Sequence, residues 1–296
     1  MSKIKVLVTG AHGLVGSRFI ELAKNFQFLN PDLPDFDITN FNSVQKTITD
    51  FNPDWIINFA AFTDVNASED QSGDLSGLAW KVNVEGVQNL VTAFKSKNII
   101  HISTDMVFPG NLAFPGPYAE SDTPPDTNEN LTWYGWTKNR AEKIIKERGG
   151  TILRIIYPVR ASFGGKADYI RSALQKFSEG KLNPLFTDQQ ICIAYIDEVA
   201  KTLEKIIETN SQGVFHASSD TTTPFELISF VVDQLGKDSS LVPQSSIVDF
   251  LKTQNNPNRY PVWGGLKTKI TEEALDIHFS TWQTVVEYLI AQGLTI

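Results

Sequence analysis

A tyrosine and a lysine four positions apart have types and a spacing that suggest catalytic chemistry. Tyr134 and Lys138 lie in the segment YGWTK, so a helix places both on one face. A phenol of pKa about 10 is a poor acid or base near neutral pH unless a cation stabilises the phenolate, and Lys138 supplies one. Thr104 ends an apolar run and offers a hydroxyl. The three side chains predict acid–base chemistry at one carbonyl oxygen. The alternative is that Tyr134 packs on a sheet and Lys138 lies on a solvated helix face.

A second motif is glycine-rich and lies near the N-terminus. In VTGAHGLVG, Gly10, Gly13 and Gly16 follow an apolar run and open a helical pattern. Such a turn lets backbone approach a pyrophosphate, whose charge the helix N-terminus stabilises. We therefore predict a dinucleotide cofactor rather than a turn without a ligand.

The choice between NAD and NADP depends on the stretch after this helix. Asp32 and Asp37 lie where an acidic residue would accept hydrogen bonds from the adenosine ribose, although either could instead serve only the local loop or the next helix. Residues 26–37 contain no Arg to bind a 2′-phosphate. The sequence thus favours NAD slightly over NADP.

Apolar runs alternate with helical patterns through the first half of the chain. We predict strands over Lys3–Gly10, Asp54–Ala61, Asn98–Ser103 and Thr151–Tyr157. We predict helices from Leu14 to about Asn25, and over Phe41–Phe51, Trp80–Lys97 and about Tyr134–Arg148. This alternation predicts an α/β fold with a doubly wound parallel sheet of the Rossmann type.

The order of elements becomes irregular after Tyr157, which suggests a second and smaller lobe. We predict that residues 1–157 and about 188–218 form the dinucleotide-binding domain. Residues of about 158–187 and 219–296 are predicted to form an interleaved C-terminal lobe that binds substrate.

Composition excludes several classes of function. The net charge is -8 and the basic residues form no stripe, so nucleic acid is not an expected partner. No apolar run approaches the roughly 20 residues of a spanning helix, and no signal peptide is predicted, so we expect a cytoplasmic protein without a membrane partner. Cys192 is the single cysteine and the four histidines are scattered, so no metal site is expected.

Together these segments resemble the extended short-chain dehydrogenase/reductase family, and within it the dTDP-4-dehydrorhamnose reductase branch. The segments that carry the resemblance are VTGAHGLVG, FDIT at Phe36–Thr39, INFAAFTDVNASE at Ile57–Glu69, KVNVEG around Asn83, STDMVFPG at Ser103–Gly110, YGWTK, and LRIIY at Leu153–Tyr157. The likeness is strong through Tyr157 and weaker beyond it.

The resemblance implies an NAD(P)H-dependent reductase that transfers hydride to the C4 carbonyl of a nucleotide-linked 4-keto-6-deoxy sugar. It implies Thr104, Tyr134 and Lys138 as catalytic residues, with Tyr134 as proton donor. The implied cofactor-binding residues are Gly10, His12, Gly13, Leu14, Val15, Gly16, Asp32, Asp37, Ile38, Ala60, Ala61, Phe62, Asn83, Ser103 and Lys138. The implied substrate-binding residues are Thr63, Val65, Asp105, Val107, Tyr157, Gln189 and Arg259. A homodimer stays open.

The sequence departs from the branch pattern where substrate should bind. The tryptophan-containing stretch of the branch is replaced by Tyr157–Ile170, and only Asp188 and Gln189 remain of a longer Asp-Gln motif. Two other functions stay open. One is a sugar-nucleotide dehydratase or epimerase, although dehydration needs an acid where this chain has Met106. The other is a non-catalytic regulatory subunit that binds the cofactor.

Overall fold

The computed structural model describes residues 3–254, 257 and 260–296, and its centre is a six-stranded parallel sheet. The strands are β1 Lys5–Thr9, β2 Gln27–Leu29, β3 Trp55–Asn58, β4 Ile99–Thr104, β5 Thr151–Ile155 and β9 Val214–Ala217. They lie in the order β2-β1-β3-β4-β5-β9. The chain therefore reverses its direction of winding between β1 and β3, and parallel sheets bind ligands at the carboxyl ends of the strands beside such a point.

Helices cover both faces of this sheet. The main ones are α1 Leu14–Leu22, α2 Phe41–Phe51, α5 Gly86–Ala93, α6 Trp133–Arg148 and α8 Ile196–Thr209. Val6 and Val8 pack in the core beneath α1 and α8, whereas Leu7 packs in the core beneath α2, α5 and α6. Both faces of β1 are buried, which explains its continuous apolar run. The prediction of a doubly wound parallel sheet is confirmed.

Strand β2 is absent from the sequence prediction. Its three residues, Gln27–Leu29, form the edge of the sheet and are exposed or half-buried. A segment this short carries too little hydrophobic periodicity to be distinguished from the Pro/Asp-rich loop that follows it. The run at Asp54–Ala61 therefore supplies the third strand along the chain rather than the second.

The helix predicted over Trp80–Lys97 is interrupted. A short helix, α4 Leu78–Trp80, leads into a wider π-type turn at Lys81–Glu85, and α5 ends at Ala93. The wide turn contains the buried Asn83, whose side chain accepts a hydrogen bond from Phe62 N at 2.7 Å and donates to Thr137 Oγ1 at 2.9 Å. The local widening thus places Asn83 between the loop after β3 and helix α6.

A separate hydrophobic cluster lies in the second half of the chain. It joins α7 Tyr169–Ser178, α9 Pro224–Gln234 and α12 Trp282–Ala291. Two small parallel pairs accompany these helices: β6 Pro158–Val159 with β8 Ala194–Tyr195, and β7 Leu185–Phe186 with β10 Gln244–Ser245. The segment just before β8 forms only isolated bridges, at Gln190 and Ile191.

Three further short α-helices lie in the described chain. They are α3 Val65–Glu69, α10 Ile247–Leu251 and α11 Lys269–Leu275. Helix α11 lies against α8 and β9, so this part of the C-terminal stretch contacts the main sheet. The division into two lobes at the boundaries given above stays a prediction. Among the described residues, no helix is both long and apolar enough to cross a membrane.

Candidate active site

The glycine turn connects β1 to α1 at the carboxyl edge of the sheet. Gly10 has φ +64°, and a Cβ on it would lie 2.7 Å from Ala60 N. A Cβ on Gly16 would lie 2.7 Å from the carbonyl oxygen of Gly10. Glycine is therefore required at both positions. At Gly10 the reasons are the positive φ and the close approach of Ala60, and at Gly16 the reason is the close approach of the Gly10 carbonyl. No side chain caps α1 at Gly13, so the first N–H groups of this helix are open to an anion.

The outer rim of the same turn is polar and exposed to solvent. His12 Nδ1 lies 2.8 Å from Asp32 Oδ2, and these side chains are 66% and 52% exposed. Asp37 faces elsewhere, because its carboxylate accepts hydrogen bonds from Thr39 N and Thr39 Oγ1, both at 2.8 Å. Ile38 is buried against Gly86. Of the two acidic candidates, only Asp32 faces the glycine turn.

Thr104 and Asp105 lie at the end of β4, in a much drier environment. Thr104 Oγ1 donates to Asp105 Oδ1 at 3.2 Å, and Asp105 Oδ2 accepts from Gly265 N at 3.1 Å. Both residues are buried. Burial raises the pKa of Asp105 to about 6, and the hydrogen bond from Gly265 N opposes this rise only in part.

Helix α6 docks directly on the turn that contains these residues. Thr132 caps the helix by accepting a hydrogen bond from Gly135 N at 2.9 Å. A Cβ on Gly135 would lie 2.0 Å from the carbonyl oxygen of Met106. Only glycine permits this approach, so the second residue of YGWTK sets the distance between α6 and the end of β4.

Tyr134 and Lys138 are then carried into the same region. Burial, with a smaller contribution from the charge of Asp105, raises the pKa of Tyr134 above its ordinary range. Lys138 Nζ donates to the carbonyl oxygen of Ile102 at 2.6 Å and lies 2.9 Å from His101 Nε2. Burial lowers the pKa of Lys138 to about 7, although Glu142 opposes this shift. Burial thus weakens the charged form of Lys138, which the sequence prediction treats as a cation.

One cavity of about 820 Å³ joins the glycine turn to these groups. It is lined by most of the predicted site residues: Gly10, His12, Gly13, Leu14, Val15, Gly16, Asp32, Ala60, Ala61, Thr63, Val65, Ser103, Thr104, Asp105, Tyr134, Lys138, Tyr157 and Gln189. Five others do not line it: Asp37, Ile38, Phe62, Asn83 and Val107. Arg259 lies outside the described residues. Thr104, Tyr134 and Lys138 thus all line the same cavity.

Comparison with known proteins places the chain in a family. Residues 4–294 match the family described as the RmlD substrate binding domain. This protein belongs to that family. A dTDP-4-dehydrorhamnose reductase from Aggregatibacter actinomycetemcomitans is 27% identical over 297 residues, covering 96% of this chain and 97% of that relative. Methionine adenosyltransferase 2 subunit beta from Pongo abelii is 28% identical over 257 residues, covering 80% of this chain and 73% of that relative.

A solved structure supports the same fold. The crystal structure of dTDP-4-dehydrorhamnose reductase from Bacillus anthracis, in complex with NADP, superposes with a TM-score of 0.82. It is 22% identical, and the match covers 98% of this chain and 100% of that one. The resemblance inferred from the sequence motifs is therefore confirmed at the level of the family and of the fold.

The roof of the cavity, defined as Gln189, Gln190, Pro261 and Gly264, contains residues that sequence reasoning missed. Gln190 and Gly264 line the cavity, and Gln190 Nε2 donates to the carbonyl oxygen of Gly264 at 2.7 Å. Gln189 Nε2 likewise donates to the carbonyl oxygen of Pro261 at 2.8 Å. These segments are more than 70 residues apart in the chain, so local spacing carries no sign of their pairing.

Among the described non-glycine residues that line the cavity, Tyr157 alone has a positive φ. Its φ is +38°, which is rare for a bulky side chain. The ring packs on Tyr169 with 4.9 Å between centroids and remains 38% exposed, and a phenol has an ordinary pKa of about 10. Tyr157 therefore presents a neutral phenol to the cavity from the wall formed by the end of β5.

In the described part of the chain, no group of three or more His, Cys, Asp or Glu side chains could hold a metal ion.

Proposed function

We propose that this member of the RmlD family is an NAD(P)H-dependent reductase of a nucleotide-linked 4-keto-6-deoxy sugar. The observation that carries the proposal is the single cavity that has an anion-binding turn at one end and Thr104, Tyr134 and Lys138 at the other. Most polar groups at the far end are buried. The name and activity of the A. actinomycetemcomitans relative support the same reaction class.

The glycine turn fits a dinucleotide. Gly10 and Gly16 leave no room for a Cβ, and the uncapped N-terminus of α1 offers free N–H donors to a pyrophosphate. We propose that Gly10, Gly13 and Gly16 approach the phosphates, and that Ala60 and Ala61 line the path towards the nicotinamide. When bound, the reduced nicotinamide supplies a hydride to the C4 carbonyl carbon.

Residues of the chain then supply the proton that the carbonyl oxygen takes up. The phenol of Tyr134 is protonated at neutral pH and can donate to the carbonyl oxygen as negative charge develops there, although burial raises its pKa and so makes a nearby cation necessary. Thr104 orients the same oxygen by turning its hydroxyl proton from Asp105 Oδ1 to the substrate carbonyl. Lys138 lies beside the tyrosine, so that in its charged form it stabilises the phenolate left behind. One hydride and one proton convert the ketone to an alcohol.

The substrate is proposed to lie under the roof of the cavity. Thr63, Val65, Asp105, Tyr157 and Gln189 all line the cavity, and we propose that they contact the substrate. The neutral phenol of Tyr157 and the amide of Gln189 suit the hydroxyl groups of a sugar. Cofactor preference is proposed to favour NADH slightly, because the rim offers the carboxylate of Asp32 rather than an Arg.

A second candidate is a cofactor-binding regulatory subunit, which the similarity to methionine adenosyltransferase 2 subunit beta favours. Because the Thr104, Tyr134 and Lys138 set is complete, we place the reductase first. A dehydratase is disfavoured because Met106 lines the cavity where an acid would be needed, and a thioether does not transfer protons.

The test follows the absorbance of NADH or NADPH when a dTDP-linked 4-keto-6-deoxy sugar is added, with the sugar product identified by mass spectrometry. Tyr134→Phe serves as the matched control. We expect oxidation of the cofactor by wild type and a product two hydrogen atoms heavier than the substrate. Tight cofactor binding without turnover of any such ketone would overturn the reductase and favour the regulatory subunit.

A further inference from the structure

A chain of buried polar side chains runs beneath the site and ends on Lys138. It begins at Thr9, the last residue of β1, passes through Asn58 on β3 and His101 on β4, and reaches Lys138 on α6. All four residues are at most 2% exposed. Thr9 Oγ1 donates to Asn58 Oδ1 at 2.5 Å, Asn58 Nδ2 lies 3.0 Å from His101 Nδ1, and His101 Nε2 lies 2.9 Å from Lys138 Nζ. The chain therefore links the glycine turn to the catalytic end of the cavity.

Counting donors sets the direction of these hydrogen bonds. The amide oxygen of Asn58 faces Thr9 and can only accept, so the hydroxyl proton of Thr9 goes to Asn58 Oδ1. The amide nitrogen of Asn58 then faces His101 and must donate to Nδ1. His101 Nδ1 is thus an acceptor, and a neutral imidazole with an accepting Nδ1 carries its proton on Nε2.

The remaining bond joins His101 Nε2–H to Lys138 Nζ. An ammonium group has no lone pair, so only the uncharged amine can accept this proton. The amine meanwhile donates to the carbonyl oxygen of Ile102 at 2.6 Å. The direction fixed at Thr9 is therefore compatible with a neutral Lys138 and incompatible with a charged one.

The charged groups around Lys138 agree with this arrangement. On α6 itself the titratable neighbours are Tyr134 and Glu142, and the latter is held by Arg154 of β5 at 2.7 and 2.8 Å. Asp105 follows β4 and is turned towards Gly265 N. Strand β3 contributes only the uncharged Asn58. Within the described residues, no carboxylate forms an ion pair with Lys138.

We infer that His101 is a positioning residue that donates a hydrogen bond to Lys138 Nζ and thereby holds the amine in its uncharged form at the edge of the cavity. Burial keeps His101 itself neutral by lowering its pKa well below the usual value. His101 thus sets the pH at which Lys138 gains its charge. The catalytic consequence rests on the proposed function, whereas the hydrogen bond does not.

Two substitutions separate the ring nitrogens. Asn places an amide near the Nδ1 position, so His101→Asn keeps the contact with Asn58 and loses the donor to Lys138. Gln reaches the Nε2 position, so His101→Gln keeps a donor to Lys138 and loses the contact with Asn58. The measurement is a pH titration of the Lys138 side chain by NMR in lysine-labelled, cofactor-free protein, with Lys138→Arg identifying the signal.

We expect wild type to titrate near pH 7, His101→Gln to stay close to wild type, and His101→Asn to titrate higher by on the order of one unit. An unchanged or lower value in His101→Asn overturns the inference, since a lower value means that Nε2 accepts from an ammonium. If His101→Asn does not fold, the tautomer of His101 in wild type decides: ¹⁵N NMR must show Nε2 protonated and Nδ1 bare.

Kinetics separate this inference from the proposed function. In a working reductase, the limb on which kcat/KM falls with rising pH should shift upwards in His101→Asn and stay in place in His101→Gln. A shifted NMR titration without any ketone reduction by wild type would overturn the reductase and leave the role of His101 intact. If wild type reduces the ketone but Lys138 titrates at the same pH in all three proteins, the role of His101 is overturned and the reductase stands.

Discussion

The two ends of the cavity hold similar kinds of polar group in opposite surroundings. At the outer rim, His12 and Asp32 are 2.8 Å apart and more than half exposed. At the inner end, Asp105 and Lys138 are almost completely buried. Water screens charges at the rim, whereas the dry interior moves the pKa of Asp105 up to about 6 and that of Lys138 down to about 7. Position in the cavity, more than residue type, decides what these groups can do.

This contrast predicts a gradient of effects along the cavity. Changes at the inner end should alter chemistry by large factors, because groups in a low-dielectric site act on developing charge without competition from water. Changes at the rim should alter cofactor choice by small factors.

The largest effect is expected at Tyr134. Tyr134→Phe keeps the ring and removes the proton donor, so kcat should fall about 10²–10⁴-fold, the range for losing a general acid. Cofactor affinity should barely change. Steady-state NADH or NADPH oxidation and calorimetric cofactor titration measure the two quantities. A kcat within threefold of wild type would show that another group supplies the proton.

The next effect concerns stability and Lys138. The amine binds a proton more weakly in the folded protein, at a pKa of about 7, than at the ordinary value of 10.5 in the unfolded chain. Its contribution to stability therefore rises with pH across this window. Relative to Lys138→Met, wild type should gain about 2–4 kcal/mol of unfolding free energy between pH 7 and 10. Urea denaturation of both proteins at several pH values measures this difference. A difference that does not vary with pH contradicts the lowered pKa.

A smaller effect is expected at Thr104. Thr104→Val has a similar shape and removes one hydrogen bond to the carbonyl oxygen, so kcat should fall about tenfold to a hundredfold. Thr104→Ser, which retains a hydroxyl, is the matched control and should recover most of the activity. Equal losses in the two variants would point to packing by the methyl group instead.

The smallest effect is expected at the rim. Asp32→Arg replaces a carboxylate that repels a 2′-phosphate by a cation that attracts it, so the ratio of NADPH to NADH affinity should rise about tenfold, equivalent to about 1.4 kcal/mol. Asp32→Asn removes the repulsion alone and should give a lesser change. If wild type already prefers NADPH by tenfold, a residue other than Asp32 discriminates between the cofactors.

The sequence allowed more to be predicted about the sheet than about the cavity roof. The buried strand at Trp55–Asn58 and the glycine turn follow from local patterns, because a parallel strand covered on both faces is a continuous apolar run. The contact between Gln190 and Gly264 depends on distant segments and has no such pattern. The lowered pKa of Lys138 escaped prediction for a related reason, since its cause is burial beside His101 on another element.

The contact between Gly135 and Met106 constrains the amino acid at position 135 but not the one at position 106. The carbonyl oxygen of Met106 sets the position of α6, while the side chain of the same residue lines the cavity. A main-chain atom is unchanged by almost any substitution at position 106. Selection can therefore exchange the side chain there to admit a different sugar while Tyr134 keeps its place. Position 135 has no comparable freedom, so lineages that diversify in substrate should vary at residue 106 and stay fixed at residue 135.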